Sequence, residues 1–355
     1  MKKRKRLLWK EMENIAVQKK VTIRDIVRAT GYSTATVSRV LNGTNQFYSE
    51  ETRSKIEQAA RELGYVPNMY AKVLKTSITK NIALIVPQMS DFYGEIFSGL
   101  QVKANLSGYS VSLYSANNQM NQEEMNIRNI CSLPCDGIVI ASGFLSPDSL
   151  KSLRTTNLPM VSVEYIMGAE DVPFIGIPDR KATAEAVGYL LDIGHRKIAC
   201  FTAPMQYSVL KERYAGYLSA FEARGLNHDP SLVFSDPLFE RSGDVQQYLA
   251  IKDVLSTHEF TAAMAFSDDT AGMILRAAHD LGISVPDELS VIGFDDSSVA
   301  AYLVPSLTTV RQDAYALGYG AAEMIFELIS TGQTSSRLLD ANLIQRESSS
   351  SPKAI

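Results

Sequence analysis

The stretch Thr22-Ile-Arg-Asp-Ile-Val-Arg-Ala-Thr-Gly-Tyr-Ser-Thr-Ala-Thr-Val-Ser-Arg-Val-Leu-Asn42 predicts two short helices joined by a tight turn. Thr22 can cap the first helix, because Asp25 lies three residues further on, where an acidic side chain favours the first turn. Gly31 can end that helix, and Ser33 can cap the second. Each helix has an apolar face at i, i+3 and i+4 spacing, formed by Ile23, Ile26 and Val27 and by Val37, Val40 and Leu41. The stretch therefore predicts a helix-turn-helix unit.

The other face of the second helix carries Thr34, Ala35, Ser38 and Arg39. In a helix-turn-helix unit, the second helix enters the major groove of DNA with its N-terminal side chains at the base edges. Small side chains there allow close approach, and Arg39 could bind a guanine through two hydrogen bonds or a phosphate. A capped helix with a polar solvent-facing side would show the same pattern in any small bundle. The pattern alone favours DNA binding and leaves this alternative open.

A third helix is predicted to follow, with Ser49 as its cap and Gly64 as its end. Its inward residues would be Ile56, Ala59, Ala60 and Leu63. Three short helices with apolar faces can share one small core.

Charge is unevenly distributed along the 355 residues, whose net charge is −4. Residues 1–80 contain 17 Lys and Arg against 7 Asp and Glu, and the remainder contains 18 basic against 32 acidic residues. A basic head on an acidic body suggests a polyanionic partner for the head. The basic cluster at residues 2–6 leaves a solvated tail as the alternative.

The sequence predicts neither export nor membrane insertion. No apolar run approaches the roughly 20 residues that span a bilayer, and too few apolar residues follow the basic start for a secretory signal. Cys131, Cys135 and Cys200 form neither a C-x-x-C pair nor an even disulfide set. We therefore expect a cytoplasmic protein without a membrane partner, in which residues 1–20 are a disordered basic extension.

From residue 81 the sequence alternates short β-rich runs with helical stretches. Seven runs are nearly continuous in apolar residues: 82–86, 110–114, 137–141, 160–163, 198–201, 262–266 and 289–294. Such runs indicate strands covered on both faces, as in parallel α/β sheets. They predict two doubly wound lobes, and ligands of such folds bind beyond the carboxyl ends of the strands.

Signatures of catalysis are missing from the sequence. There is no G-x-x-x-x-G-K-[ST] loop and no G-x-S-x-G elbow, and Gly318-Tyr-Gly320 lacks the third glycine of a dinucleotide site. The four histidines, His195, His228, His258 and His279, have no metal-ligand spacing. We predict no catalytic residue, no cofactor and no metal site, and hence a protein that is not an enzyme.

The head strongly resembles the LacI/GalR family of bacterial transcription regulators. The resemblance lies in residues 21–26, in Gly31-Tyr-Ser-Thr-Ala-Thr-Val-Ser-Arg-Val-Leu-Asn-Gly43, and in residues 49–53 and 63–68, in the family's order and spacing. It implies that Thr34 and Ala35 read bases, with Arg39 one turn later. The other DNA-contacting positions implied are Thr22, Ser33, Thr36, Ser38 and Asn42.

The segment Pro67-Asn-Met-Tyr-Ala-Lys-Val-Leu74 resembles the family's hinge helix, which folds when the dimer binds operator. Leu74 holds the position of a leucine that wedges into the central minor groove, and Asn68 is a further implied DNA contact. An ordinary linker residue is the alternative for Leu74. One departure is the length before Thr22, because the family usually begins only two or three residues earlier.

The resemblance continues to residue 348, through segments such as Gly194-His-Arg-Lys-Ile198 and Pro286-Asp-Glu-Leu-Ser-Val-Ile-Gly-Phe-Asp-Asp296. It implies a body similar to periplasmic sugar-binding proteins. The effector contacts implied are Phe92, Tyr93, Glu164, Arg213, Ser267, Asp268 and Asp295. An arginine fork, a carboxylate acceptor and an aromatic face suit a sugar. A structural ion pair is the alternative for Arg213 and Asp295.

The cleft departs from the family pattern at several positions. Asp91 directly precedes the aromatic pair, and Glu164 stands where Asp is usual. Pro178-Asp179 replaces a usual Asp-Asn pair, and Ser267 replaces a common Asn. These departures indicate an effector that is unusual for the family.

The sequence thus predicts an α/β protein with a small all-α head, acting as a homodimeric repressor of a carbohydrate-related operon under a sugar or sugar-phosphate effector. The predicted parts are the extension (1–20), the helix-turn-helix domain (21–66), the hinge and linker (67–80) and the effector-binding and dimerisation domain (81–355), with lobe 1 at about 81–178 and 308–335 and lobe 2 at about 179–307 and 336–355. A family member controlled by a partner protein, a ligand-binding module without DNA function, and an enzyme are the alternatives.

The wedge role of Leu74 makes a prediction for Leu74→Ala. Truncation should cost more affinity for a specific site than for non-specific DNA, because only the specific complex holds the kinked centre. Band-shift titrations with both DNAs measure this, and equal losses on both would contradict the wedge role.

Overall fold

The computed structural model describes residues 21–41, 48–66, 78–117, 119–141, 145–205, 207–235 and 245–353, and the chain divides into two units at Ile78. The predicted extension at 1–20 lies outside the described residues, as do Asn42, Asn68, Leu74 and most of the predicted hinge.

The first unit contains the three predicted helices: α1 (Ile23–Thr30), α2 (Thr34–Leu41) and α3 (Glu50–Glu62). Their caps form as predicted. The backbone N–H of Thr22 donates to the Asp25 carboxylate at 2.9 Å, and Gly31 ends α1 at a φ of 75°, a left-handed conformation that glycine adopts readily. The Ser33 hydroxyl accepts the Thr36 N–H at 3.1 Å, and the Ser49 hydroxyl accepts the Thr52 N–H.

The three helices share one small core. Its buried members are Ile26, Val37, Val40, Ile56 and Ala60. Leu63 was predicted to face this core, but 39% of it is exposed. It lies one residue beyond the end of α3, where the helical periodicity behind the prediction no longer sets the direction of the side chain.

The second unit holds two sheets, each with six strands in the described residues. The first sheet has the order β11 (Arg337–Leu338), β5 (Phe174–Gly176), β4 (Met160–Val163), β3 (Gly137–Ile140), β1 (Asn81–Val86) and β2 (Ser110–Ser115). The second has the order β12 (Ala341–Ile344), β10 (Thr308–Gln312), β9 (Ser290–Asp295), β8 (Ala262–Ala265), β6 (Ile198–Thr202) and β7 (Val233–Ser235).

Pairing is parallel except where β12 runs antiparallel to β10. The seven predicted apolar runs all contain strands, and the central ones are buried throughout. The helices that cover the sheets are α4 (Asp91–Leu106), α5 (Met120–Ser132), α6 (Pro147–Arg154), α7 (Asp179–Asp192), α8 (Ser208–Glu222), α9 (Val245–Thr257), α10 (Asp268–Leu281) and α11 (Ala314–Thr331). None of the helices in the described ranges is long and apolar enough to cross a membrane.

The chain crosses between the lobes three times, which moves the predicted boundaries. β10 pairs with β9, so residues 308–312 belong to the second lobe. The sequence predicts the first lobe for them, and that prediction is wrong. β11 pairs with β5, so residues 337–338 belong to the first lobe. The sequence placed both crossings a few residues too early, because the pairing of β10 and β11 with strands distant in the chain, and not their local periodicity, decides the sheet to which they belong.

Two glycines allow α4 and α11 to pack backbone against backbone. A Cβ atom at Gly99 would overlap the carbonyl oxygen of Tyr315, and one at Gly318 would overlap that of Ile96. Any side chain at these positions would push the helices apart.

This contact yields a matched pair of predictions within α4. Gly99→Ala should lower the free energy of unfolding by at least about 2 kcal/mol through overpacking. Gly94→Ala should leave stability unchanged or raise it by up to about 1 kcal/mol, because the added methyl meets open space and alanine favours helix. Urea denaturation followed by circular dichroism measures both, and equal effects would contradict the packing argument.

Candidate nucleic-acid interface and ligand cleft

The residues predicted to read DNA lie on the surface of α2. The exposed ones are Ser33, Thr34, Ala35 and Arg39. The opposite side of the helix buries Val37 and Val40. The first turn of α2 therefore presents small side chains followed, one turn later, by a guanidinium, as the predicted reading face requires.

The remaining described members of the set are Thr22, at the start of α1, and Thr36 and Ser38, within α2. Thr36 and Ser38 are half-buried, and Thr22 is exposed. The Thr22 hydroxyl donates to Asp25 at 2.8 Å, and the hydroxyls of Ser33 and Thr36 lie 2.8 Å apart. These groups fix the beginnings of α1 and α2, which orients their N-terminal turns.

A second candidate site is a cavity of about 140 Å³ between the two sheets. Much of its polar lining comes from the carboxyl ends of strands: Glu164 follows β4, Thr202 ends β6, Ser267 follows β8, Asp295 ends β9 and Gln312 ends β10. This is where doubly wound folds place ligands. Six of the seven predicted effector contacts line it: Phe92, Tyr93, Glu164, Arg213, Ser267 and Asp295.

Asp268 is the predicted contact that does not line the cavity. It is buried and turned into the second lobe, where its carboxylate accepts the Thr309 hydroxyl at 2.5 Å and the Ser297 N–H at 2.7 Å. Burial raises the pKa of Asp268 to about 6. Its neighbour Asp269 lines the cavity instead. Asp268 thus tethers β10 and the loop after β9, a role that its place in a motif did not reveal.

Arg213 on α8 is the buried cation of the cleft. Its Nε donates to Asp179 at 2.8 Å, and its Nη1 donates to the carbonyl of Phe266 at 2.7 Å. The guanidinium lies 3.6 Å from the ring centre of Phe294, a cation–π contact. The alternative considered from the sequence was a structural ion pair between Arg213 and Asp295. The ion-pair partners of Arg213 are instead Asp179 and, at 4.0 Å, Glu164.

Three carboxylates therefore surround one guanidinium. Burial raises the pKa of Glu164 to about 7, although Arg213 opposes the shift. Burial also raises the pKa values of Asp179 and Asp295. Burial works against the charge of Arg213, yet the three carboxylates raise its pKa. Ionising all three carboxylates beside one guanidinium at such low exposure to water would be costly, so the cleft favours retention of protons on its carboxyl groups.

The backbone holds two of these carboxylates in unusual conformations. Glu164 has a φ of 70° and Asp295 a φ of 119°, a region that L-residues rarely adopt. Such conformations cost on the order of 1–3 kcal/mol each and cluster at ligand sites.

The aromatic pair stands at the start of α4, against the cleft. The rings of Phe92 and Tyr93 meet edge to face at 5.3 Å, and the Ser90 hydroxyl caps the helix by accepting the Tyr93 N–H. Burial raises the pKa of Tyr93, and the charges of Glu164 and Asp295 add to that shift. The phenol therefore stays protonated.

Two buried glutamines in the cavity lining escaped sequence reasoning. Gln312 donates its amide N–H to Asp295 at 2.6 Å, and Gln247 donates to the Thr270 hydroxyl at 3.1 Å. The Oε1 atom of each has no hydrogen-bond partner in the described structure. A polar residue ending a strand could have pointed to Gln312, but Gln247 lies in an ordinary helix and gave no signal. Across the described ranges, His, Cys, Asp and Glu form no cluster suited to a metal ion.

The raised pKa of Glu164 gives a pH prediction for Glu164→Gln. The folded state binds a proton at Glu164 more tightly than the unfolded state does, so this residue's contribution to stability is lost as pH rises from about 4.5 through about 7. Relative to the variant, the wild type should lose on the order of 2 kcal/mol, or several degrees in Tm, between pH 5 and pH 8. Thermal unfolding across this range checks it. Glu222→Gln, at an exposed carboxylate, is the control, and parallel profiles for wild type and Glu164→Gln would disprove the shift.

Comparison with known proteins covers both units. Residues 22–68 match the family described as bacterial regulatory proteins, lacI family, and residues 187–349 match a periplasmic binding protein-like domain. The chain is 31% identical over 333 residues to the transcriptional regulator RegA of Clostridium saccharobutylicum, covering 92% of this chain and 98% of that protein. It is 32% identical over 332 residues to the repressor CytR of Escherichia coli K12, with 92% and 96% covered.

Solved structures agree with these sequence matches. A complex of the regulator CelR with cellobiose superposes with a TM-score of 0.68 at 28% identity, covering 93% of this chain and all of that one. A lac repressor dimer bound to operator and an anti-inducer superposes at 0.81 and 23% identity, covering 94% and 100%, which supports the fold. The resemblance read from the sequence is confirmed: the chain belongs to the lacI family of bacterial regulatory proteins, and is a DNA-binding transcriptional regulator and not an enzyme.

Proposed function

We propose that this regulator is a homodimeric repressor whose affinity for operator DNA is set by a small hydroxylated effector bound between its two lobes. The observation that carries the proposal is the cleft itself. A buried arginine, three carboxylates and an aromatic pair converge there at the strand ends. The relative CelR has been seen with cellobiose in its structure, which supports a carbohydrate-related effector and operon.

For the head, we infer that Thr34, Ala35 and Arg39 contact bases. The exposed first turn of α2 supports this, since side chains of that turn reach base edges in helix-turn-helix proteins. Thr22, Ser33, Thr36 and Ser38 would contact phosphates, and Asn42, Asn68 and Leu74 complete the set from outside the described residues. Two heads would read half-sites of a near-palindrome, and binding to operator would place the protein in the cytoplasm.

For the body, we infer that the effector touches both lobes. Phe92, Tyr93 and Glu164 belong to the first lobe, whereas Arg213, Ser267 and Asp295 belong to the second. A ligand held by both sets changes the free-energy difference between two lobe arrangements, and this difference becomes a coupling free energy on operator affinity.

The proposal is tested by Arg39→Ala and a charge-matched control. Genomic fragments retarded by the wild-type protein at low salt supply the specific site. Arg39→Ala should lose about 1–3 kcal/mol of discrimination between that site and non-specific DNA. Arg61→Ala removes the same charge from the exposed side of α3, so it should lower the affinity for specific and for non-specific DNA to a similar extent.

Competition band-shift titrations separate these outcomes. If no fragment is retarded, or if both variants lose discrimination equally, the reading role assigned to α2 is wrong. Adding sugars and sugar phosphates to the retarded complex then tests the cleft. An operator affinity that responds to none of them would favour control by a partner protein.

A further inference from the structure

The charges at the cleft do not balance within the described residues. Arg213, with 6% of its side chain exposed, faces Glu164 and Asp179, with 13% and 11% exposed. Asp295 acts on the same guanidinium. Two of the Arg213 nitrogens already donate, to Asp179 and to the Phe266 carbonyl. One cation thus serves three carboxylates, a formal excess of two negative charges.

The uncharged polar groups of the lining show a second imbalance, between hydrogen-bond donors that are already used and acceptors that are not. Gln247 and Gln312 are 1% and 3% exposed, and each uses its amide N–H internally while its Oε1 has no partner in the described structure. Lining hydroxyls also donate inward: Thr202 to the Ala203 carbonyl at 3.0 Å, and Ser267 to Thr270 at 3.0 Å. Apart from Arg213 and the protonated Tyr93 phenol, the capacity left for a ligand is therefore mainly that of accepting hydrogen bonds.

We propose that the effector carries a protonated amine, as an amino sugar does, and that its ammonium group binds among Glu164, Asp295 and the amide oxygens of Gln247 and Gln312. This deepens the proposed function and rests on it. An ammonium brings three donors, no acceptor and a positive charge, whereas each hydroxyl of a neutral sugar brings an acceptor with its donor. The hydroxyls of the same ligand remain available to Arg213.

Protons compete with such a ligand for the cleft. The titratable groups that face it or bear on it are Tyr93 from α4, Glu164 after β4, Asp179 from α7, Arg213 from α8, Asp268 and Asp269 from α10, and Asp295 from β9. Burial raises the pKa of Glu164 to about 7 and that of Asp295 well above its usual range. Binding of an ammonium should therefore expel protons, whereas a neutral sugar has no charge with which to displace them.

Calorimetry on the full chain tests the proposal with matched ligands. The probes are glucosamine, galactosamine and mannosamine, each with its neutral parent and its N-acetyl derivative, at a pH below the pKa of the amine. We expect one amino sugar to bind at least about tenfold more tightly than both of its uncharged counterparts. Its heat of binding should vary with the ionisation enthalpy of the buffer, which reports proton release.

Glu164→Gln separates charge from shape. It should weaken the amino sugar about 10- to 100-fold and its neutral parent less than threefold, while Glu222→Gln changes neither. Thermal unfolding verifies that the variants fold. If Glu164→Gln does not fold, Asp295→Asn is measured in its place. Equal losses for charged and neutral ligands, or binding without proton release, would overturn the inference.

The outcomes also distinguish this inference from the function on which it rests. If a neutral sugar binds as well as its amino counterpart and shifts operator affinity, the repressor function stands and the ammonium site is wrong. If no member of the panel binds, both the ammonium site and the carbohydrate effector are wrong.

Discussion

The buried Arg213 is the interaction on which the rest of the cleft depends. A guanidinium at 6% exposure is tolerated only because Asp179, the Phe266 carbonyl and the Phe294 ring hold it in place. Glu164 approaches it from the other lobe, so the charge of one residue on α8 acts on both sheets. Removing that charge would leave three carboxylates of low exposure without their common counterion. The arrangement of the whole cleft therefore depends on Arg213.

The strongly periodic parts of the molecule were predictable from sequence. The caps at Thr22, Ser33 and Ser49 and the stop at Gly31 are local chemistry, which needs no tertiary context. The apolar runs of the central strands were equally clear, because a strand covered on both faces must be apolar throughout. The family resemblance then implied seven effector contacts, of which six line one cavity.

What the sequence missed depends on partners distant in the chain. Residues 308–312 and 337–338 belong to other lobes than predicted because of pairings with distant strands, which the local sequence of β10 and β11 does not encode. Asp268 and Asp269 are adjacent, and only their positions in the first turn of α10 decide which one is buried and which lines the cleft. Gln247 reaches the site from a helix that has no distinguishing pattern, so nothing short of the tertiary structure could have placed it there.

The three crossings between the lobes have a mechanical consequence. They run from β5 to α7, from β10 to α11 and from β11 to β12, and the strands involved are the two outermost strands at one edge of each sheet. Connections gathered along one edge resist sliding and separation but leave one soft motion, a rotation about that edge. We therefore expect the two lobes of the second unit to open and close by rotation at that edge, with a few dihedral angles of the crossing segments changing while the two cores stay intact.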